Sequence, residues 1–168
     1  GECTYECWIH LKENTVQVRC RLNNARSDTT QYAGRHQELP AVYTNGEYYR
    51  LMTYRGDKPF TGDPVDRIPK KSGGGFPWEY WLATEHWAAL VNDDNWGLGI
   101  YKPDSCLFIG GFAGTEGAGG THDAPTGYIA PLHTEILDHN ITYDYSYVLI
   151  VGDLNDIRGY AVEHSRGA

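Results

Sequence analysis

The side chains best equipped for chemistry are a few carboxylates and imidazoles set beside aromatic residues. Glycosidic hydrolysis requires two carboxyls about 5 to 9 Å apart, one of them with a raised pKa. Glu38, near Pro40, and Glu85, at the head of the central hairpin, are the candidate pair. Proton abstraction in a lyase or epimerase requires a base that titrates near neutrality and a partner acid. His36, His86, His122, His133 and His139 could act as the base, with Tyr54 as a phenolic acid. His86 is the preferred one, because strand neighbours point to opposite faces and either it or Glu85 could face a cleft. Binding a sugar without catalysis asks only for exposed ring faces and a few polar groups. Tyr54, Trp78, Tyr80, Trp81 and Trp87 could supply the rings; the alternative is that they are core.

Metal signals are weak. Asp93-Asp94-Asn95 offers oxygens in a turn, but calcium takes six to eight, and Asx-rich turns form without metal. His133 and Glu135 share one strand face. The four Cys lack any CxxC spacing and match no zinc pattern. The glycine-rich stretch 114–127 lacks the Gly-Lys spacing of a phosphate loop. No metal or cofactor is expected.

These groups must be held by strands. Residues 85–102 form the central stretch, with alternation on either side of Asp93-Asp94-Asn95, a hairpin pattern. Both faces of the first arm are apolar, so it should be an inner strand. Gly97 and Gly99 leave one face bare for a packed ring or a ligand. Residues 5–12 and 15–22 form another hairpin about Glu13-Asn14. Its register sets Leu11 against Val16, Ile9 against Val18 and Cys7 against Cys20 on a dry face. On the wet face Glu6 meets Arg21 and Trp8 meets Arg19, an ion pair and a cation–π contact. Cys7 and Cys20 fall at a non-hydrogen-bonded pair. Their alternatives are a cross-strand disulfide, which would imply export, and two buried thiols, the favoured reading.

Asn45-Gly46 predicts a tight hairpin pairing Tyr43 with Tyr48 and Val42 with Tyr49. Pro40 predicts a bulge or strand end that re-aims Glu38. Residues 55–76 form a long irregular connection of the kind that is functional or disordered. Further strands are expected at 105–112, 128–137 and 142–152. Asp153 then caps a helix that Gly167 would stop. The sum is an all-β, two-sheet antiparallel β-sandwich with one short C-terminal helix, a single domain over residues 1–168.

The composition narrows the function. The net charge of −8 offers no basic face for nucleic acid. No apolar run is long enough for a membrane span. Five Trp and 13 Tyr against four Phe favour half-wet positions.

Several blocks together resemble β-sandwich regions of large exported bacterial proteins linked with polysaccharide breakdown. They are Gln37-Glu38-Leu39-Pro40-Ala41-Val42-Tyr43, Thr53-Tyr54-Arg55-Gly56-Asp57-Lys58-Pro59-Phe60, the 87–101 hairpin, and 145–151 leading into Asp153-Leu154-Asn155-Asp156. The pattern is similar to the super-sandwich of galactose-mutarotase-type domains, which serves enzymes and non-catalytic modules alike. It implies a carbohydrate partner, a secreted or periplasmic setting and neighbouring domains in a longer chain. The leading expectation is a carbohydrate-associated domain that binds glycan by aromatic stacking. The alternatives are a catalytic glycoside hydrolase, polysaccharide lyase or epimerase domain, and a structural module packed on a neighbour.

Overall fold

Alternation of apolar and polar residues, interrupted by turn residues, folds about half of this chain into antiparallel strands. The computed structural model describes residues 2–73 and 75–165. The large sheet orders β1 (Cys3–Lys12), β2 (Thr15–Asn24), β12 (Ile141–Asp153), β9 (Trp96–Tyr101), β8 (Trp87–Val91), β5 (Arg50–Thr53) and β6 (Asp66–Ile68). The small sheet orders β3 (Arg35–Glu38), β11 (Thr126–Glu135), β10 (Leu107–Ala113) and β7 (Glu79–Leu82), and β4 (Val42–Asn45) also pairs with β11. Helix α1 (Leu154–Ser165) closes the described chain. The all-β two-sheet sandwich with a short C-terminal helix is therefore present. No helix among the described residues is long and apolar enough to cross a membrane.

The sheets enclose Leu51, Ala88, Leu90, Ile100, Phe108, Ile129 and Trp81. The other side of the large sheet packs Met52, Tyr54, Trp87, Ala89 and Ile150 against Ile157 and Ala161 of α1. Strand β8 is thus covered on both sides, as its two apolar faces require, and all five of its residues are buried. The group that approaches the bare glycine face is neither a ring nor a ligand. It is Ile157, with which a Cβ on Gly99 would collide. Asn92 shapes the intervening turn, its Oδ1 accepting from the Asp94 and Trp96 amides at 3.0 Å each. Asn95 Oδ1 in the same turn accepts from Arg50 Nη1 at 2.9 Å. These side-chain oxygens therefore serve the turn and its arginine.

The Asp153 cap forms: its Oδ1 accepts from the Asn155 and Asp156 amides at 2.9 and 3.3 Å. This satisfies two of the amides left free at a helix start. The expected stop at Gly167 lies outside the described residues. Near Pro40, β3 ends at Glu38 and β4 begins at Val42, the expected strand end.

Two expectations about pairing are corrected. The β1–β2 register is as predicted, including Cys7 opposite Cys20, and Arg19 lies over Trp8 at 5.4 Å. The Glu6–Arg21 ion pair is not formed. Arg21 pairs bidentately with Asp144 across on β12, at 2.9 and 3.0 Å, because β2 is an inner strand with a second neighbour. Glu6 accepts from Asn23 Nδ2 instead, at 3.0 Å. The Asn45-Gly46 hairpin does not extend into a ladder: β4 pairs with β11 and β5 with β8, in different sheets. Here glycine answers to close packing. A Cβ on Gly46 would collide with the Ala118 carbonyl, and Gly46 O accepts from the Gly117 amide at 3.1 Å.

The β1–β2 end of the large sheet outreaches the small sheet. Tyr5, Ile9 and Leu11, the face expected to be dry, are 57%, 64% and 71% exposed. Tyr143, Tyr145 and Tyr147 of β12 continue the row of rings toward the enclosed core, at centroid separations of 6.2 Å.

Candidate functional site

Three of the predicted site residues meet, but in a structural knot. Glu85 is fully buried. Its carboxylate accepts from Arg158 Nε and Nη2 at 2.9 and 2.8 Å, from Trp87 Nε1 at 2.9 Å and from the Phe60 amide at 2.8 Å. Arg158 also donates to Asp63 O at 2.6 Å and lies over the Tyr54 ring at 5.2 Å. The Tyr54 hydroxyl donates to Lys58 O at 3.0 Å. Burial alone would raise the Glu85 carboxyl. The Arg158, Trp87 and Phe60 donors outweigh it and hold the group below the ordinary carboxylate range. A general acid needs the opposite shift and access to substrate, so Glu85 is an anchor joining the 55–66 connection, the central hairpin and α1. Tyr54 and Trp87, 3% and 0% exposed, belong to the core on the α1 side and offer no stacking face.

His86 points away from this knot. Its Nδ1 lies 3.1 Å from Ser105 O and 3.4 Å from Cys106 Sγ, and its ring stacks on Phe60 at 6.4 Å. Cys106 beside it is exposed. His133 sits 3.8 Å from both Asp104 and Glu135. The Tyr143 phenol, which burial and Glu135 push upward, donates to Glu135 Oε1 at 2.8 Å. His36 lies at 2.9 Å from Thr134 Oγ1.

Trp81 is also core. It is 6% exposed, packs on Phe108 at 5.9 Å, and lies over Gly110, where a Cβ would come within 3.1 Å of its ring. The period-two pattern explains the split. Trp78 and Tyr80 share one face of their segment and Trp81 takes the other, which points into the sandwich.

The outer face of the small sheet carries the remaining rings. Tyr43, Tyr128, Trp78 and Phe76 form a row with centroids 5.0, 4.9 and 6.1 Å apart. Tyr128 forms the floor, almost wholly buried, whereas Tyr43 and Phe76 are 61% and 62% exposed. Trp78 crosses the sheet over Gly111, where a Cβ would meet Trp78 Cε3 at 3.3 Å and crowd the Pro77 carbonyl at 2.7 Å. Tyr80, 59% exposed, stands beside His36 at 6.2 Å. Those two come from β7 and β3, with two strands between them.

Glu38 is exposed and opposite Leu132 on this same face. The buried Tyr128 hydroxyl makes no hydrogen bond of good geometry. Burial, together with the neighbouring Glu38 carboxylate, pushes that phenol upward. Glu38 and Glu85 therefore lie against opposite outer sides of the sandwich and do not form a hydrolytic pair. Tyr43, Phe76 and Tyr128 were not singled out from the sequence. The alternation of Tyr43 with Val42 was the available signal for the first.

This geometry defines the class as an antiparallel two-sheet β-sandwich with an aromatic outer face. No family model matches the chain, and no curated protein matches it. Among solved structures it is similar to a xanthan lyase from Paenibacillus, at 12% identity and a TM-score of 0.55 over 96% of this chain. It is also similar to the GH36 α-galactosidase AgaA from Geobacillus stearothermophilus, at 12% identity and a TM-score of 0.53 over 91% of this chain. A galactose mutarotase related enzyme from Lactobacillus acidophilus aligns at 10% identity with a TM-score of 0.40 over 85% of this chain and 59% of that one. The chain spans 15% of the xanthan lyase and 23% of the galactosidase.

Proposed function

We propose that this chain is a carbohydrate-binding β-sandwich that takes a glycan by aromatic stacking on the outer face of its small sheet, within an exported bacterial polysaccharide-degrading protein. The observation that carries this reading is the continuous row Tyr43–Tyr128–Trp78–Phe76, with Tyr80 beside it. Rings with exposed faces stack on the apolar faces of pyranoses, and Glu38, His36 and the phenolic hydroxyls at the rim can hydrogen-bond sugar hydroxyls. The names of the two similar enzymes, a xanthan lyase and an α-galactosidase, support a saccharide over other ligands of such a face. The secreted or periplasmic setting belongs to the same proposal. Binding is favoured over hydrolysis because Glu85 is fully engaged elsewhere and leaves Glu38 without a second carboxyl.

Affinity electrophoresis in gels cast with xanthan, galactomannan or cellulose tests it. Trp78→Ala and Tyr80→Ala should each lower retention about 10-fold or more, at roughly 1 to 3 kcal/mol per stacked ring, a value borrowed from base stacking. Retention equal to that of the unsubstituted protein, in both variants and every gel, would reject the stacking face.

The bare Tyr5/Ile9/Leu11 face favours a second reading, a module that packs on a neighbouring domain. Contiguous exposed apolar surface of this kind marks interaction sites. Ile9→Lys with Leu11→Lys should leave glycan retention intact and lower self-association in sedimentation runs. Unchanged association would count against a packing role.

A further inference from the structure

We propose that Cys7 and Cys20 are a modification site, closing to a cross-strand disulfide on reaction with a small-molecule disulfide such as oxidised glutathione. The two residues are direct partners in the β1–β2 ladder, and their sulfurs are 3.8 Å apart. Counting from the Glu13-Asn14 turn, Lys12 and Thr15 exchange hydrogen bonds and the pairs then alternate, so Cys7–Cys20 is of the non-hydrogen-bonded type. Side chains approach most closely there, with Cα atoms about 4.5 Å apart, inside the span a disulfide bridges. Cys106 lies beside His86 and Cys3 beside Asn24, so neither competes at this position.

The reaction balances without any further partner. Desolvation and the neighbouring Cys20 push the Cys7 thiol up, so it must first lose its proton; the exposed thiolate then attacks the glutathione disulfide and expels one glutathione thiolate. Cys20, buried behind it, then attacks the Cys7 sulfur of the mixed disulfide and expels the second. Two thiols lose two electrons to the glutathione disulfide, and their two protons pass to the departing glutathione thiolates. The exposed sulfur is the entry point and the buried one resolves the intermediate.

The bond would fasten the edge of the large sheet. All ten residues of β1 are exposed, and β2 is the only strand beside it among the described residues. Trp8 and His10 of β1, with Gln17 and Arg19 of β2, form one wall of a groove of about 830 Å³. The opposite wall is the stacked pair Tyr160–His164 of α1, with centroids 3.8 Å apart. Closing Cys7 to Cys20 fixes that first wall from behind.

The test incubates the full chain with oxidised glutathione, blocks free thiols with iodoacetamide and maps peptides without reduction. The expected result is a Cys7 peptide joined to a Cys20 peptide, with two hydrogens lost. Its formation should slow amide exchange across β1 at least several-fold relative to reduced protein. Cys7→Ser should abolish both effects, and Cys20→Ser should trap glutathione on Cys7. A stable glutathione adduct on Cys7 in unsubstituted protein would overturn the proposal. So would alkylation of both Cys7 and Cys20, or a bridge to Cys3 or Cys106.

Discussion

Arg158→Ala should be among the most destabilising single substitutions in this chain. It leaves the Glu85 carboxylate, fully buried, with only the Trp87 indole and the Phe60 amide as donors. Removing one partner of a buried ion pair typically costs about 3 to 5 kcal/mol, because the remaining charge stays out of water. For a domain of this size that lowers Tm by on the order of 10 °C. Glu85→Gln should cost less, since the amide oxygen can still accept from one of those donors. Replacing both partners by apolar residues should not recover the full loss, because the indole and the amide would then lack an acceptor. The pH dependence has a defined sign. The folded Glu85 carboxyl lies below its ordinary value. Its contribution is therefore complete above the ordinary carboxylate range and is lost as pH falls through the depressed folded value. Urea titrations at pH 7 and pH 3 should show the gap between the unsubstituted protein and Arg158→Ala narrowing at the lower pH. A constant gap would remove the ion pair from the explanation.

Trp87→Ala should cost about 3 to 5 kcal/mol and leave glycan retention unchanged at temperatures where the variant stays folded. The ring is fully buried between β8 and α1, so its loss opens a cavity that close-packed neighbours fill only in part. Trp87→Phe keeps most of the volume but removes the indole donor to Glu85. It should cost roughly 1 to 3 kcal/mol, the penalty of an acceptor left short. Trp78→Ala should lose retention and, because the half-buried indole packs on Tyr128, give up a smaller share of stability than Trp87→Ala. Denaturant midpoints set beside gel retention separate the two tryptophans. Lost retention in folded Trp87→Ala protein would show that binding runs through the α1 side of the molecule.

That contrast marks how far the sequence was legible. Alternation disclosed the strands, and the Glu13-Asn14 turn disclosed the β1–β2 register residue by residue. Doubly apolar β8 was correctly placed inside, and the Asp153 cap correctly started the helix. What alternation cannot supply is which sheet covers which face. Ile9 and Leu11 were expected to be dry because their neighbours are apolar, and they are bare because the small sheet stops short of them. Trp87 and Trp81 looked like platforms for the same reason that Trp78 does. Period two divides rings between faces without saying which face meets solvent. Asn45-Gly46 misled because its glycine relieves contact with the 117–118 segment, a long-range demand that local turn chemistry imitates. The Glu85–Arg158 pair joins residues 73 positions apart. Only the docking of α1 brings them together.

The overhang of the large sheet has a last consequence. Along β1, β2 and β12 a single thickness of backbone separates two unlike surfaces. One is grooved, with Trp8, His10 and Arg19; the other is greasy, with Tyr5, Ile9 and the tyrosines of β12. Neighbouring residues on one strand serve opposite clients, so a partner settling on the greasy side would stiffen the strands that shape the groove behind it. The two surfaces could thus communicate without a hinge or a moving domain, through nothing longer than the pleat itself.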